Sequence, residues 1–249
     1  MQDVDIKTRE GTMDAKLFHP DGHGQGLGQG PGVILLTDAM GSRPVFEAMA
    51  RRLAKAGYVV LLPNVYYREG RAPFLNMHGS FADEAFRKHI LGLIATLTPE
   101  RVMMDAAAEL DFLSAQPEVK GQRVGVVGYC MSGAIAVHMA AGFPDRIAAA
   151  ASFHGGRLAT DAPESPHLVV GKVKGELYFG HADQDGSMPA EAIARLEAAL
   201  KQAGVKAQSE LYAGARHGFA VEGMAAYDKD ASERHWSKLL ELFGRTLQA

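Results

Sequence analysis

The chain has 249 residues, of which 47% are hydrophobic and 22% charged, the balance of a soluble globular protein with a sizeable core. Its 26 Lys and Arg against 29 Asp and Glu give a formal charge of -3, and the basic residues are scattered, which argues against a nucleic-acid partner. No apolar run approaches the roughly 18 residues of a membrane span, and residues 1–7 show neither a basic nor an apolar leader region. The expected location is therefore the cytoplasm. A single cysteine excludes an internal disulfide and any multi-cysteine zinc site.

In chain order, residues 4–8 and 13–18 read as an opening hairpin, followed by a Gly-rich loop over 19–32. Its glycines alternate strictly from 22 to 32 and precede a strand, so they do not form a dinucleotide fingerprint. Residues 33–36 form a buried strand, 45–56 an amphipathic helix begun by Pro44 and closed by Gly57, and 58–62 another strand. After a long aromatic and basic segment over 65–79 come two helices, over 81–94 and 99–115. Residues 123–128 are a strand and 132–141 a helix rich in small residues. Three further strands lie over 147–153, 176–180 and 207–212, and the last helices over 189–203 and 232–247. Short apolar runs alternating with longer helices predict one α/β domain over residues 1–249, a mostly parallel sheet covered by helices on both faces in three layers. The antiparallel hairpin should lie at one edge.

The chemistry gathers at Gly128-Tyr129-Cys130-Met131-Ser132-Gly133, where a strand runs directly into a helix. This is the layout of a nucleophile elbow, a sharp turn that lifts its central side chain above the sheet. Small flanking residues let the two backbone segments approach, and the helix N-terminus favours a thiolate and an oxyanion. No serine of this chain has glycine two positions before it, so Cys130 takes the nucleophile's place. A thiol in this role needs a base, and the base an orienting acid, in the chain order nucleophile, acid, histidine. His217, in a Gly-rich loop just past a strand, is the expected base; His235 falls inside a helical pattern beside Trp236 and reads as packed. Asp183 and Asp185 both follow the strand over 176–180. Asp183, closer to the strand, is the preferred acid, and Asp185 would instead serve the turn before Met188-Pro189.

Those segments resemble the dienelactone hydrolase family of the α/β-hydrolase superfamily. Gly128-Tyr129-Cys130-Met131-Ser132-Gly133 is similar to its Gly-Tyr-Cys-x-Gly-Gly elbow, and Gly180-His181-Ala182-Asp183 to its Gly-x-x-Asp turn. His217-Gly218-Phe219-Ala220 is similar to its His-x-Phe-Ala segment, and the run from Ala56 to Tyr66 to its approach to Pro-Asp-Leu-Tyr. The resemblance implies an α/β-hydrolase fold and a Cys130–His217–Asp183 triad. Such a triad hydrolyses small carboxylic esters or lactones, as a carboxymethylenebutenolidase does, through an acyl-enzyme without cofactor or metal. It also implies an oxyanion hole from the amides of Ala39 and Met131, and a modulating carboxylate near the resting thiol, here Asp38. Of the family's two substrate-carboxylate arginines, one corresponds to Arg87 and the other to Val221, which would give the pocket an apolar wall. Ser132 replaces a glycine and adds a hydroxyl near the nucleophile, and the loop over 66–74 should border the substrate. The expected partner is a small-molecule substrate, with the chain a monomer or homodimer. Two other readings are a silent binding module on the same fold and a metal-dependent enzyme using His181 and Asp183. The first would be expected to lose a triad member, and the second lacks an H-E-x-x-H pattern.

Overall fold

A computed structural model describes residues 1–22, 27–73 and 82–248. Parts of the Gly-rich loop, Phe74 in the loop expected to border the substrate, and the expected helix start at Phe81 lie outside the described residues. Among the described residues eight strands form one sheet: β1 (Gln2–Thr8), β2 (Gly11–Phe18), β3 (Gly30–Leu36), β4 (Val59–Pro63), β5 (Val119–Tyr129), β6 (Ile147–Phe153), β7 (Glu176–Gln184) and β8 (Ala207–Arg216). Their order is β1-β2-β4-β3-β5-β6-β7-β8. The hairpin β1–β2 is antiparallel at one edge and β2 pairs antiparallel with β4, whereas every other pairing is parallel.

Among the described residues six α-helices cover the sheet: α1 (Pro44–Lys55), α2 (Glu84–Thr96), α3 (Pro99–Ser114), α4 (Met131–Gly142), α5 (Ala190–Ala203) and α6 (Lys229–Leu247). The central strands read as unbroken apolar runs because both their faces are buried. Val33 and Leu35 of β3 pack with Phe46 of α1 and Leu239 of α6. Their neighbours Ile34 and Leu36 point to the opposite face, with Leu110 of α3 and Ala136 of α4. The period of two thus separates two core layers, and the expected three-layer α/β arrangement is borne out. Among the described residues no helix is long and apolar enough to cross a membrane.

The sequence locates the elements well but misses strand ends. β7 runs four residues past Gly180 and β8 four residues past Tyr212, because the two tails pair with each other as far as Gln184 and Arg216. This extension decides which aspartate meets the histidine.

Candidate active site

Cys130 stands between the last residue of β5 and the first of α4, half-buried, with φ 55° and ψ -122°. A non-glycine residue in that region is strained by about 1–3 kcal/mol and persists only where its surroundings enforce it. Two glycines allow the turn. A Cβ on Gly128 would lie 2.0 Å from the carbonyl oxygen of Ser132, and one on Gly133 would lie 2.2 Å from Ser152 Oγ. The Cys130 amide donates to Phe153 O at 3.2 Å and its carbonyl accepts from Gly133 N at 3.1 Å, which tie the turn to β6 and to α4.

His217 follows directly on β8, and its Nδ1 lies 2.6 Å from Asp185 Oδ2. The Cys130 thiol lies near enough to this ring to favour its charged form. Burial opposes a charge on this imidazole, but the hydrogen bond to Asp185 and the nearby Cys130 sulfur outweigh it and leave its pKa pushed up to about 10. Asp185 is buried, which alone would raise its pKa. Hydrogen bonds from His217 and Ser187 outweigh that and hold it below the ordinary carboxylate value. Ser187 takes only one carboxylate oxygen: its amide and hydroxyl donate to Asp185 Oδ1 at 2.8 and 2.6 Å. Oδ2 is left to the histidine.

The preference for Asp183 is therefore corrected. β7 does not end at Gly180, so Asp183 is the last residue but one of a paired strand, exposed, and its Oδ2 accepts from the Gly214 amide at 2.9 Å. Asp185 is the first residue beyond that strand, where the chain turns toward His217. Its spacing, two residues before a serine that can cap it, was the available sequence signal.

Asp38 is also corrected. Arg43 Nη1 and Nη2 donate to its two oxygens at 2.5 and 2.7 Å, and the Met40 amide adds a third bond at 2.9 Å. Among the described residues none of its hydrogen bonds goes to the sulfur. A guanidinium five residues away in the same loop outcompetes a thiol for a carboxylate. Asp38 therefore shapes the loop that carries Ala39. The amides of Ala39 and Met131 have no hydrogen-bond acceptor among the described residues. Tyr66 sits beside both segments. Its hydroxyl is 3.2 Å from Ala39 O and 3.2 Å from Met131 Sδ, and burial, with the charges of Cys130 and Asp38, pushes its pKa far up. The sequence placed Tyr66 in the substrate-bordering loop without this linking contact.

Three further expectations change. The Ser132 hydroxyl is engaged by Thr37 O at 2.5 Å, which pins the start of α4 to the end of β3. Val221 is fully buried in the α1–α6 core layer, so it forms no pocket wall. Arg87 is exposed in the first turn of α2 and is not among the residues lining the cavity beside the elbow. His235 is packed, as expected, between Tyr129 Oη and Ser232 O, both at 2.8 Å. A histidine the sequence did not single out, His154, lies with its ring 5.2 Å from that of His217. Complete burial drives its pKa far down, so it is a neutral wall to the charged ring. Among the described residues no three metal-ligating side chains gather at one point.

A strained cysteine elbow facing an Asp-held histidine is the equipment of nucleophilic acyl chemistry. Residues 13–247 match the model of the dienelactone hydrolase family. The chain belongs to the dienelactone hydrolase family. A Synechocystis sp. relative named "Putative carboxymethylenebutenolidase" is 30% identical, over 98% of this chain and 99% of that one. The Carboxymethylenebutenolidase of Rhodococcus opacus is 26% identical over 88% of this chain and 83% of its own. A Klebsiella pneumoniae crystal structure described as a "Putative Dienelactone Hydrolase" superposes with a TM-score of 0.84 at 21% identity, covering 98% of each chain. The α/β-hydrolase fold is shared, and this dienelactone hydrolase family member is a hydrolase.

Proposed function

We propose that the chain hydrolyses carboxylic esters or lactones through Cys130, His217 and Asp185. The observation that carries this reading is the 2.6 Å contact of His217 Nδ1 with Asp185 Oδ2, made beside a strained cysteine elbow whose sulfur is near enough to favour the charged imidazole. The Cys130 thiolate attacks the carbonyl carbon, and the carbonyl electron pair moves to oxygen. The amides of Ala39 and Met131 serve as donors to that oxyanion. Collapse expels the alkoxide, which takes the proton from His217 and leaves as alcohol, or as the hydroxyl end of an opened lactone. The acyl group now sits on sulfur as a thioester. Water attacks it while His217 takes the water's proton, and the thiolate departs with the acid released.

Asp185 fixes the ring with Nδ1–H toward itself and supports its charge, so that Nε2 faces the reacting atoms. Arg87 stands outside the cavity lining and Val221 in the core, which supports neutral esters being hydrolysed at least as well as dienelactone carboxylates. The test is a panel of aryl esters, neutral lactones and acidic dienelactones, with intact mass for an acyl adduct. An adduct on Cys130 and loss of turnover in Cys130→Ala are expected; wild-type rates in that variant would remove the mechanism.

A further inference from the structure

Beside the elbow lies a cavity of about 700 Å³ whose lining includes Met131 and Gly156, and the Gly156 amide donates to Cys130 O at 3.4 Å. Its volume falls within the roughly 300–1,000 Å³ of small-molecule sites. Two helices face it with apolar triplets at the same helical spacing of i, i+3 and i+4: Leu91, Ile94 and Ala95 from α2, and Met131, Ala134 and Ile135 from α4. Inside a core, such stripes would close on each other. Here Leu91 is 55% exposed, and Met131, Ala134 and Ile135 are half-buried although most of α4 around them is buried. α2 is held to the core by Ile90 and Leu93, on its other side. The two stripes thus flank an apolar groove that reaches Met131, the residue next to the nucleophile.

We infer that this groove is a subsite for an extended apolar chain of the substrate, so that the enzyme prefers medium-chain esters to acetates. The inference rests on the esterase reading and adds a substrate class to it. The chain enters from either the acyl or the alcohol side of the ester. Full burial of a methylene favours binding by roughly fourfold, and a groove open on one side retains part of that for each added carbon.

The test compares kcat/KM along 4-nitrophenyl acetate, butyrate and octanoate, and along ethyl and octyl acetate, in the full chain. A tenfold or greater gain in one of the two series is expected, and the series that shows it assigns the side. Leu91→Glu, at an exposed helix position that does not endanger folding, should bring the octanoate-to-acetate or octyl-to-ethyl ratio close to one. Leu168→Glu, equally exposed but outside the groove, should keep it. Cys130-dependent hydrolysis with no chain-length gain in either series would overturn the groove and leave the esterase reading intact. Absence of all ester hydrolysis would instead remove the esterase reading. Protection of Cys130 from iodoacetamide by octanoate, but not by acetate, then reads the groove without turnover. Equal protection by both acids, or by neither, would overturn it.

Discussion

Two loops at the same end of the sheet each carry a buried aspartate within reach of the elbow's surroundings, and they use it differently. In the loop after β3, Asp38 meets a cation from its own loop, and Arg43 covers both oxygens. In the loop after β7, Asp185 meets only the neutral amide and hydroxyl of Ser187, on one oxygen. The first carboxylate is spent on shaping its loop. The second keeps an oxygen and its negative charge for His217. A buried carboxylate near a nucleophile thus becomes structural or functional according to what its own loop provides.

The largest expected effect comes from Asp185→Asn, which keeps the shape but turns an amide toward the histidine. It should lower kcat/KM by on the order of 10³–10⁴-fold. Asp183→Asn, at an exposed strand position, should stay within about threefold. Equal losses would erase the distinction between the two residues.

Arg43→Ala breaks the other arrangement and leaves Asp38 buried without its partner. Removing one member of a buried pair typically costs roughly 3–5 kcal/mol, read by urea denaturation. Arg43→Met combined with Asp38→Leu should recover most of it, because both charges leave together. Failure of the double variant to recover would mean the loop needs the ion pair itself.

The dependence of stability on pH separates the loops again. The His217 pKa is raised from the ordinary value to about 10, so its contribution is complete below about pH 6.5 and fades as pH rises toward 10. Asp185 is shifted down, so its share is present above its unfolded value, near 3.8, and fades as pH falls below it. Thermal midpoints should therefore decline between about pH 6.5 and 10, and Asp185→Asn should flatten that decline. An identical decline in the variant would assign it to other groups.

A smaller effect than that of Asp185→Asn is expected for Ser187→Ala. Asp185 Oδ1 loses the hydroxyl donor but keeps the backbone amide of residue 187, and the contact to His217 stays, so kcat should fall by roughly tenfold or less, with a stability loss of about 1 kcal/mol. A loss as large as that of Asp185→Asn would make Ser187 part of the charge relay to the histidine.

These contrasts also mark what the sequence could disclose. The elbow was legible because glycine, cysteine and small residues crowd a strand–helix junction, a local requirement. His217 was legible for the same reason, as a histidine just past a strand. Asp185 was hidden because the end of β7 is set by pairing with β8, over thirty residues away in sequence but adjacent in the sheet. The preference for Asp183 rested on a strand end that the pairing moves. Asp38 misled because its residue type fits a modulating role, whereas its partner, Arg43, carries no mark in sequence that predicts the contact. Val221 misled through spacing alone: four residues past a site histidine, the chain has already turned into the α1–α6 core layer.

The paired tails of β7 and β8 have one more consequence, for how this enzyme can change by descent. Gln184 stands opposite Arg216, so the acid and the base are each the first residue after one rung of the same ladder. Their meeting is measured off along the strands, at about 3.3 Å per residue, rather than held by the connection between them. Lengthening the stretch over 190–206 changes neither tail. Between Tyr212 and Arg216 the ladder already bulges, four residues of β8 spanning two of β7, so the length of that stretch sets where the base arrives. A change of length therefore leaves the acid–base meeting untouched on one side of β8 and repositions the base on the other.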